Sequence, residues 1–201
     1  MEQSASMEEQ TGYAWSEADA DRAFGFWLYL MSDAVIFALL FGTYMVMSRN
    51  YAGGPTGREL FDLGRTFAET MLLLMSSVSY GFASLAIALG RRALSLVWLG
   101  ATFLLGGGFV WVEVGELHGM VERGAGPDRS GFLSALFTLV GTHGLHVCVG
   151  LMWILVMMAQ IMVDGLTGPV RSRLLRLGMF WHFLDLVWVG IFSIVYLLGS
   201  V

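Results

Sequence analysis

Long apolar runs broken by short polar stretches dominate the chain. A helix crosses a bilayer in about 20 mostly apolar residues. Five runs reach that length, over residues 24–47, 66–89, 93–117, 132–163 and 177–199. The first holds Asp33 and the second Glu69 near its start. The third carries Glu113 and Glu116 near its end, the fourth no formal charge, and the fifth Asp185. The fourth run exceeds what a bilayer needs, which predicts a tilted or projecting helix. Pro55, Pro127 and Pro169 all fall between runs, where the ring breaks no helix bond. Gly90-Arg91-Arg92 is the whole link between the second and third runs, so these predict a tight antiparallel hairpin. No internal repeat or low-complexity linker divides the chain. The pattern predicts an all-α integral membrane bundle of five transmembrane helices. It forms one domain over residues 23–201, preceded by an acidic tail over residues 1–22.

Composition agrees with the pattern. The chain has 201 residues, 56% hydrophobic and 13% charged, where a soluble domain carries about 25% charge. So little charge cannot cover a water-soluble globule, and the bilayer is the natural solvent. Net charge is −5, and no basic patch points to nucleic acid. Cys148 is the single cysteine, which excludes an internal disulfide and CxxC metal sites. The N-terminal stretch carries Glu2, Glu8, Glu9, Glu17, Asp19 and Asp21 against Arg22. That balance is the reverse of a secretory signal and predicts a soluble, poorly ordered tail. Arginines divide almost evenly between the two ends of the bundle. Arg22, Arg91, Arg92, Arg171, Arg173 and Arg176 gather on the N-terminal side, and Arg49, Arg58, Arg65, Arg123 and Arg129 on the other. The denser clusters flank spans on the N-terminal side, which predicts a cytoplasmic N-terminus.

Ionisable groups inside a membrane are expensive and either face the bundle interior or mark function. Asp33 reads as a proton-handling or lipid-headgroup residue, or as an acid bonded to neighbours such as Tyr29. Glu69, Ser76, Tyr80 and Ser84 are spaced to share one helix face. A proton path could use that face, and helix–helix hydrogen bonding explains it better. Glu69, close to a span end, is expected to be partly solvated. Glu113 and Glu116 share one side of the third span, with little histidine support for a metal. The preceding Gly106-Gly107-Gly108 would permit a bend or a close helix approach. His143 and His146 are three apart on the fourth span, as are His182 and Asp185 on the fifth. Facing imidazoles admit a haem, and a carboxylate–histidine set admits a metal. The alternative is a buried polar network in which the rings satisfy carbonyls and Asp185. His118 is expected in a loop.

Three stretches, in order on successive spans, resemble subunit III of haem–copper oxidases. Gly141-Thr142-His143-Gly144-Leu145-His146-Val147 resembles the family's GxHGLHV segment. Trp181-His182-Phe183-Leu184-Asp185-Leu186-Val187-Trp188 resembles its WHFxDxVW segment. Glu113-Val114-Gly115-Glu116 stands in place of a Q/E-x-x-E element on the helix before. The resemblance runs from about residue 24 to the C-terminus and is strongest to the five-helix form of cytochrome bo-type ubiquinol oxidases. Gly53-Gly54-Pro55-Thr56-Gly57 and Gly126-Pro127-Asp128-Arg129-Ser130-Gly131-Phe132 look like loops of that form. The usual form in cytochrome c oxidases has seven helices, and this chain lacks room for the first two.

The resemblance implies a non-redox subunit of a proton-pumping terminal oxidase that oxidises ubiquinol and reduces oxygen. No catalytic centre or cofactor is expected in this chain, and haem and copper are expected in subunit I. The implied partners are subunit I, subunit II, a small subunit IV and membrane phospholipid. The implied place is the bacterial inner (cytoplasmic) membrane, with a periplasmic C-terminus. The implied work is stabilising subunit I, holding lipid and aiding proton uptake or oxygen access. Asp33, in Met31-Ser32-Asp33, stands where the family commonly has a glutamate in a lipid-filled cleft, and its side chain is one methylene shorter. Glu69, Glu113, Glu116, His143, His146, His182 and Asp185 then read as interior polar contacts. A cytochrome c oxidase subunit III is the nearer alternative. An autonomous membrane cytochrome using His143, His146 and His182 is the farther one.

Overall fold

A computed structural model describes residues 17–53 and 63–197. Five helices in it are long and apolar enough to cross a membrane. They are α1 (Glu17–Met47), α2 (Leu63–Ala88), α3 (Arg92–Glu122), α4 (Gly131–Asp164) and α5 (Gly168–Ile191). A single π-helical stretch, Phe192–Leu197, continues α5. The described residues form an all-α membrane bundle. The segment 54–57 of the expected glycine-rich loop, and residues 1–16 of the acidic tail, lie outside the described residues.

Several helices outrun their apolar cores. α1 begins at Glu17, so residues 17–22, expected in the tail, form its first turns. Arg22 pairs with Asp19 at 3.5 Å across one turn of this helical stretch. α3 runs on to Glu122, which places His118 on a helix and not in a loop; it meets Glu122 at 3.3 Å, both exposed. α5 begins nine residues before the expected span, at Gly168. Pro169 sits in its first turn, where a missing N–H loses no bond. Arg171 donates to the Leu166 carbonyl and Arg173 to Gln160 Oε1, both at 3.1 Å, so this charged first stretch is helical and anchored. Hydropathy reports the surrounding solvent, and the backbone helix can continue beyond it.

Ring contacts and hydrogen bonds give the topology. Phe26 meets Trp153, Phe37 meets His146 and Tyr44 meets Phe132, so α1 and α4 are antiparallel. Phe37 also meets Phe183, and Phe41 faces Gly190, so α1 and α5 run parallel. α2 and α3 form the expected hairpin, closed by Gly90 at φ 67°, where glycine alone is unstrained. Ser79 donates to the Trp98 carbonyl at 3.2 Å across that hairpin. The Gly90 turn and the α4–α5 turn share one end of the bundle. Arg92 reaches the Met162 carbonyl there, and Arg171 stands 3.7 Å from where a Gly90 Cβ would be.

α5 is the central element, packed on α1, α2 and α4. Trp181 explains how the helices come so close. A Cβ built at Gly106 on α3 would lie 2.8 Å from the Trp181 ring, and one at Gly150 on α4 would lie 2.9 Å from it. Two glycines thus form the slot for one indole. Of the triple glycine, Gly106 makes this approach, while Gly107 meets open space. Gly178 does the same for Tyr80, at 2.7 Å. Hydrogen bonds then lace α2 to α5. Tyr80 donates to the Leu174 carbonyl at 2.6 Å, Trp181 to Ser76 and Trp188 to Thr70, both at 3.1 Å.

Candidate functional site

Two acidic places result, one at the edge and one inside. Asp33 lies on the face of α1 that also buries Leu30, Phe37 and Tyr44, and is itself 6% exposed. One carboxyl oxygen, Oδ2, has no hydrogen-bond partner. Asp33 acts electrostatically on Tyr29, one turn back. Tyr29 also lines an open pocket of about 200 Å³ with His146, Val149, Trp153 and Phe180. The His146 ring is half-buried there, and its Nδ1 lies 2.7 Å from the Thr142 carbonyl. This edge is apolar, laterally open and carries one buried acid.

The interior place joins α2, α3, α4 and the π stretch. Glu69, expected to be partly solvated, is 0% exposed. Its helix starts at Leu63, earlier than the hydropathy suggested, and the adjacent Thr70 accepts a hydrogen bond from Trp188 of α5. Glu116 and Glu113 act on it electrostatically, as does Arg65 one turn before it. Tyr196, delivered by the wider π turns, lies within reach of all three acids. From α4, His143 faces Glu113, with Nδ1 4.0 Å from Oε1. Its Nε2 lies 3.3 Å from the Leu184 carbonyl. Phe109 and Trp188 wall the ring, at centroid distances of 5.7 Å and 5.3 Å. Gly144 leaves room for the acid, since a Cβ there would lie 3.1 Å from Glu113 Oε2.

The expected polar face of α2 divides. Ser76 and Tyr80 point inward, whereas Ser84 is exposed. Steps of four residues drift around a helix of 3.6 residues per turn, so the fourth member leaves the face. Thr66, Thr70 and Ser79 occupy the buried face, and the spacing reading missed them. The haem arrangement does not form. His143 faces inward, His146 lines the lateral pocket, and His182 is exposed with Nδ1 2.7 Å from Ser77 Oγ. His182 also lies 3.6 Å from Asp185, which is buried. Among the described residues, no group of three His, Cys, Asp or Glu side chains could hold a metal ion. Tyr196 was not anticipated as part of the interior site. Its residue type carries no signal, and the π turns leave none in the sequence.

Comparison with known proteins places these features. The family model described as cytochrome c oxidase subunit III matches residues 7–200. The chain is 50% identical over 184 residues to the cytochrome bo(3) ubiquinol oxidase subunit 3 of Pseudomonas aeruginosa, covering 92% of this chain and 88% of that one. It is 42% identical over 177 residues to the cytochrome c oxidase subunit 3 of a Bacillus species, covering 88% and 86%. It is 39% identical over 184 residues to the quinol oxidase subunit 3 of Bacillus subtilis, covering 92% and 90%.

Proposed function

Because the chain belongs to the cytochrome c oxidase subunit III family, we propose that it works as the non-redox third subunit of a terminal ubiquinol oxidase. The observation that carries this is the 50% identity, over nearly the whole chain, with a subunit 3 of a cytochrome bo(3) ubiquinol oxidase. The five-helix bundle supports it. The polar residues on its spans serve packing and hydrogen bonding in a protein that contributes to an enzyme only as part of a complex. The cytochrome c oxidase reading rests on the lower identity to a relative of that name, and fits less well.

In this reading haem and copper belong to subunit I, and this chain docks beside it in the inner membrane, with subunit II and a small subunit IV in the same complex. The N-terminus would face the cytoplasm, consistent with the arginines gathered at the end of the bundle that holds the Gly90 turn. The lateral pocket and Asp33 would hold a phospholipid chain and headgroup against the partner. Stabilising subunit I and aiding proton uptake or oxygen access follow as this chain's work.

The test is purification of the complex through a tag on this chain. A complex that shows haem and oxidises ubiquinol, while the isolated chain is colourless, supports the reading. A stoichiometric haem signal in the isolated chain overturns it, and acceptance of cytochrome c instead of ubiquinol favours the second reading. Asp33→Ala tests the lipid role, with loss of bound phospholipid and faster inactivation during turnover as the expected outcome. Unchanged lipid content and lifetime would remove Asp33 from it.

A further inference from the structure

Packing and hydrogen bonding do not account for Glu69 and Glu113, whose carboxyl oxygens have no protein partner. We propose that Glu69, Glu113 and His143 enclose a buried site for water and an exchangeable proton, with Glu113 present as the carboxylic acid and His143 as the neutral ring.

Hydrogen-bond satisfaction is the first argument. Glu69 and Glu113 are 0% and 2% exposed, and none of their four carboxyl oxygens has a hydrogen-bond partner. Buried polar groups in folded proteins almost always have one, from protein or from water. His143 supplies an independent sign. It is 0% exposed, and its Nε2 faces the Leu184 carbonyl, which can only accept, so Nε2 carries the hydrogen. In a neutral ring Nδ1 is then an acceptor. That nitrogen has no partner either, and it points at Glu113 Oε1 across 4.0 Å. A direct bond needs about 2.7–3.2 Å. A bridging water that makes two such bonds fills the gap.

Charge is the second argument. An ionised carboxylate in an apolar interior costs several kcal/mol unless it is paired, and neighbouring like charges add to that. The groups facing the site can be named element by element. Among the described residues they are Glu69 and Arg65 from α2, Glu113 and Glu116 from α3, His143 from α4 and Tyr196 from the π stretch, with Tyr44 of α1 beyond it. Among the described residues Arg65 is the one cation in this set, one turn before Glu69 and acting on it. Glu69 and Glu113 are neighbouring buried acids, and a proton on one of them relieves that cost. A protonated Glu113 can donate through water to Nδ1, which gives that orphan acceptor a donor. A metal ion is not the occupant, because these donors do not converge as a metal-holding group. Glu69 lies six residues from the start of α2, or about 9 Å along the axis. The site is thus within short reach of the water at that end of the bundle, and its proton can exchange.

The test uses the purified oxidase complex and infrared difference spectra of wild type against Glu113→Gln, recorded in H2O and D2O. The expected result is loss of one protonated-carboxyl C=O band per chain, a band that shifts in D2O in the wild type. His143→Gln should move the frequency of that band without abolishing it, since the acid keeps its proton but loses its acceptor. A merely structural role for His143 would leave the frequency alone. If Glu113→Gln does not assemble, Glu113→Asp keeps the acid one methylene shorter and should shift the same band. The proposal is overturned if Glu113→Gln removes ionised-carboxylate bands instead, or if the band is insensitive to D2O. A density map showing Glu113 in direct contact with Nδ1, with no water between, would also overturn it. None of these readouts depends on the electron donor, so failure here leaves the oxidase reading standing, and the reverse.

Discussion

In the most apolar stretch of α1, 17% of residues are buried, against 50% in α5. α1 is held by one narrow face, through Leu30, Asp33, Phe37 and Tyr44, and packs on α4 and α5. Its outer surface, including Phe24, Val35, Leu39 and Val46, is bare. α5 is surrounded by α1, α2 and α4, and its indoles are slotted into glycines and hydrogen-bonded. The same contrast separates the two acidic places. Asp33 belongs to a helix solvated mostly by whatever lies outside the bundle, whereas Glu69 and Glu113 are enclosed by the protein itself. An acid at an edge can be satisfied by a lipid or a partner. One at the centre must find its proton and its water within the fold.

This contrast sets an order of expected effects. The largest is at the centre. Trp181→Ala empties the slot between Gly106 and Gly150, and large-to-small changes of this kind cost about 3–5 kcal/mol. Loss of assembled complex, or a sharply lower thermal midpoint in detergent, is the expected outcome. A complex of unchanged stability would show that α5 is not the central element. Next comes Tyr80→Phe, which removes the hydroxyl bonded to the Leu174 carbonyl. Interhelical hydrogen bonds in membranes average about 0.6 kcal/mol, so a small but measurable fall in the same midpoint is expected.

Asp33→Asn keeps the side chain's shape and should be smaller still in stability, because one of its oxygens has no protein partner to lose. Its effect should appear in phospholipid retained per complex. A stability loss as large as that of Trp181→Ala would dissolve the distinction between edge and centre. The least effect is expected at His182, whose ring is exposed and bonded to Ser77. His182→Ala should leave haem content and assembly yield unchanged. A loss of haem would revive the ligand reading of the histidines.

The five spans were legible because burial in lipid demands long apolar runs, and the hairpin because three residues leave no other path. The ends were less legible. The charged starts of α1 and α5 read as tail and loop, yet both are helical, since a helix needs no apolar solvent once it has been nucleated by the span that follows. The motif residues on α3, α4 and α5 were visible one helix at a time. Their orientation was not, and His143, His146 and His182 proved to face three separate places.

By itself the sequence determined the number and order of the spans, the tight link between the second and third, and the family. These depend on hydropathy summed over many residues, and on short motifs that survive without any knowledge of packing. Only the tertiary structure decided that Glu69 meets Glu113 from another helix, that Ser84 leaves the polar face, and that the π turns bring Tyr196 to the acids. Which side of a helix is inside depends on how its neighbours cross it. That is set by side chains fitting into glycine slots between elements far apart in the chain, and no local pattern encodes it.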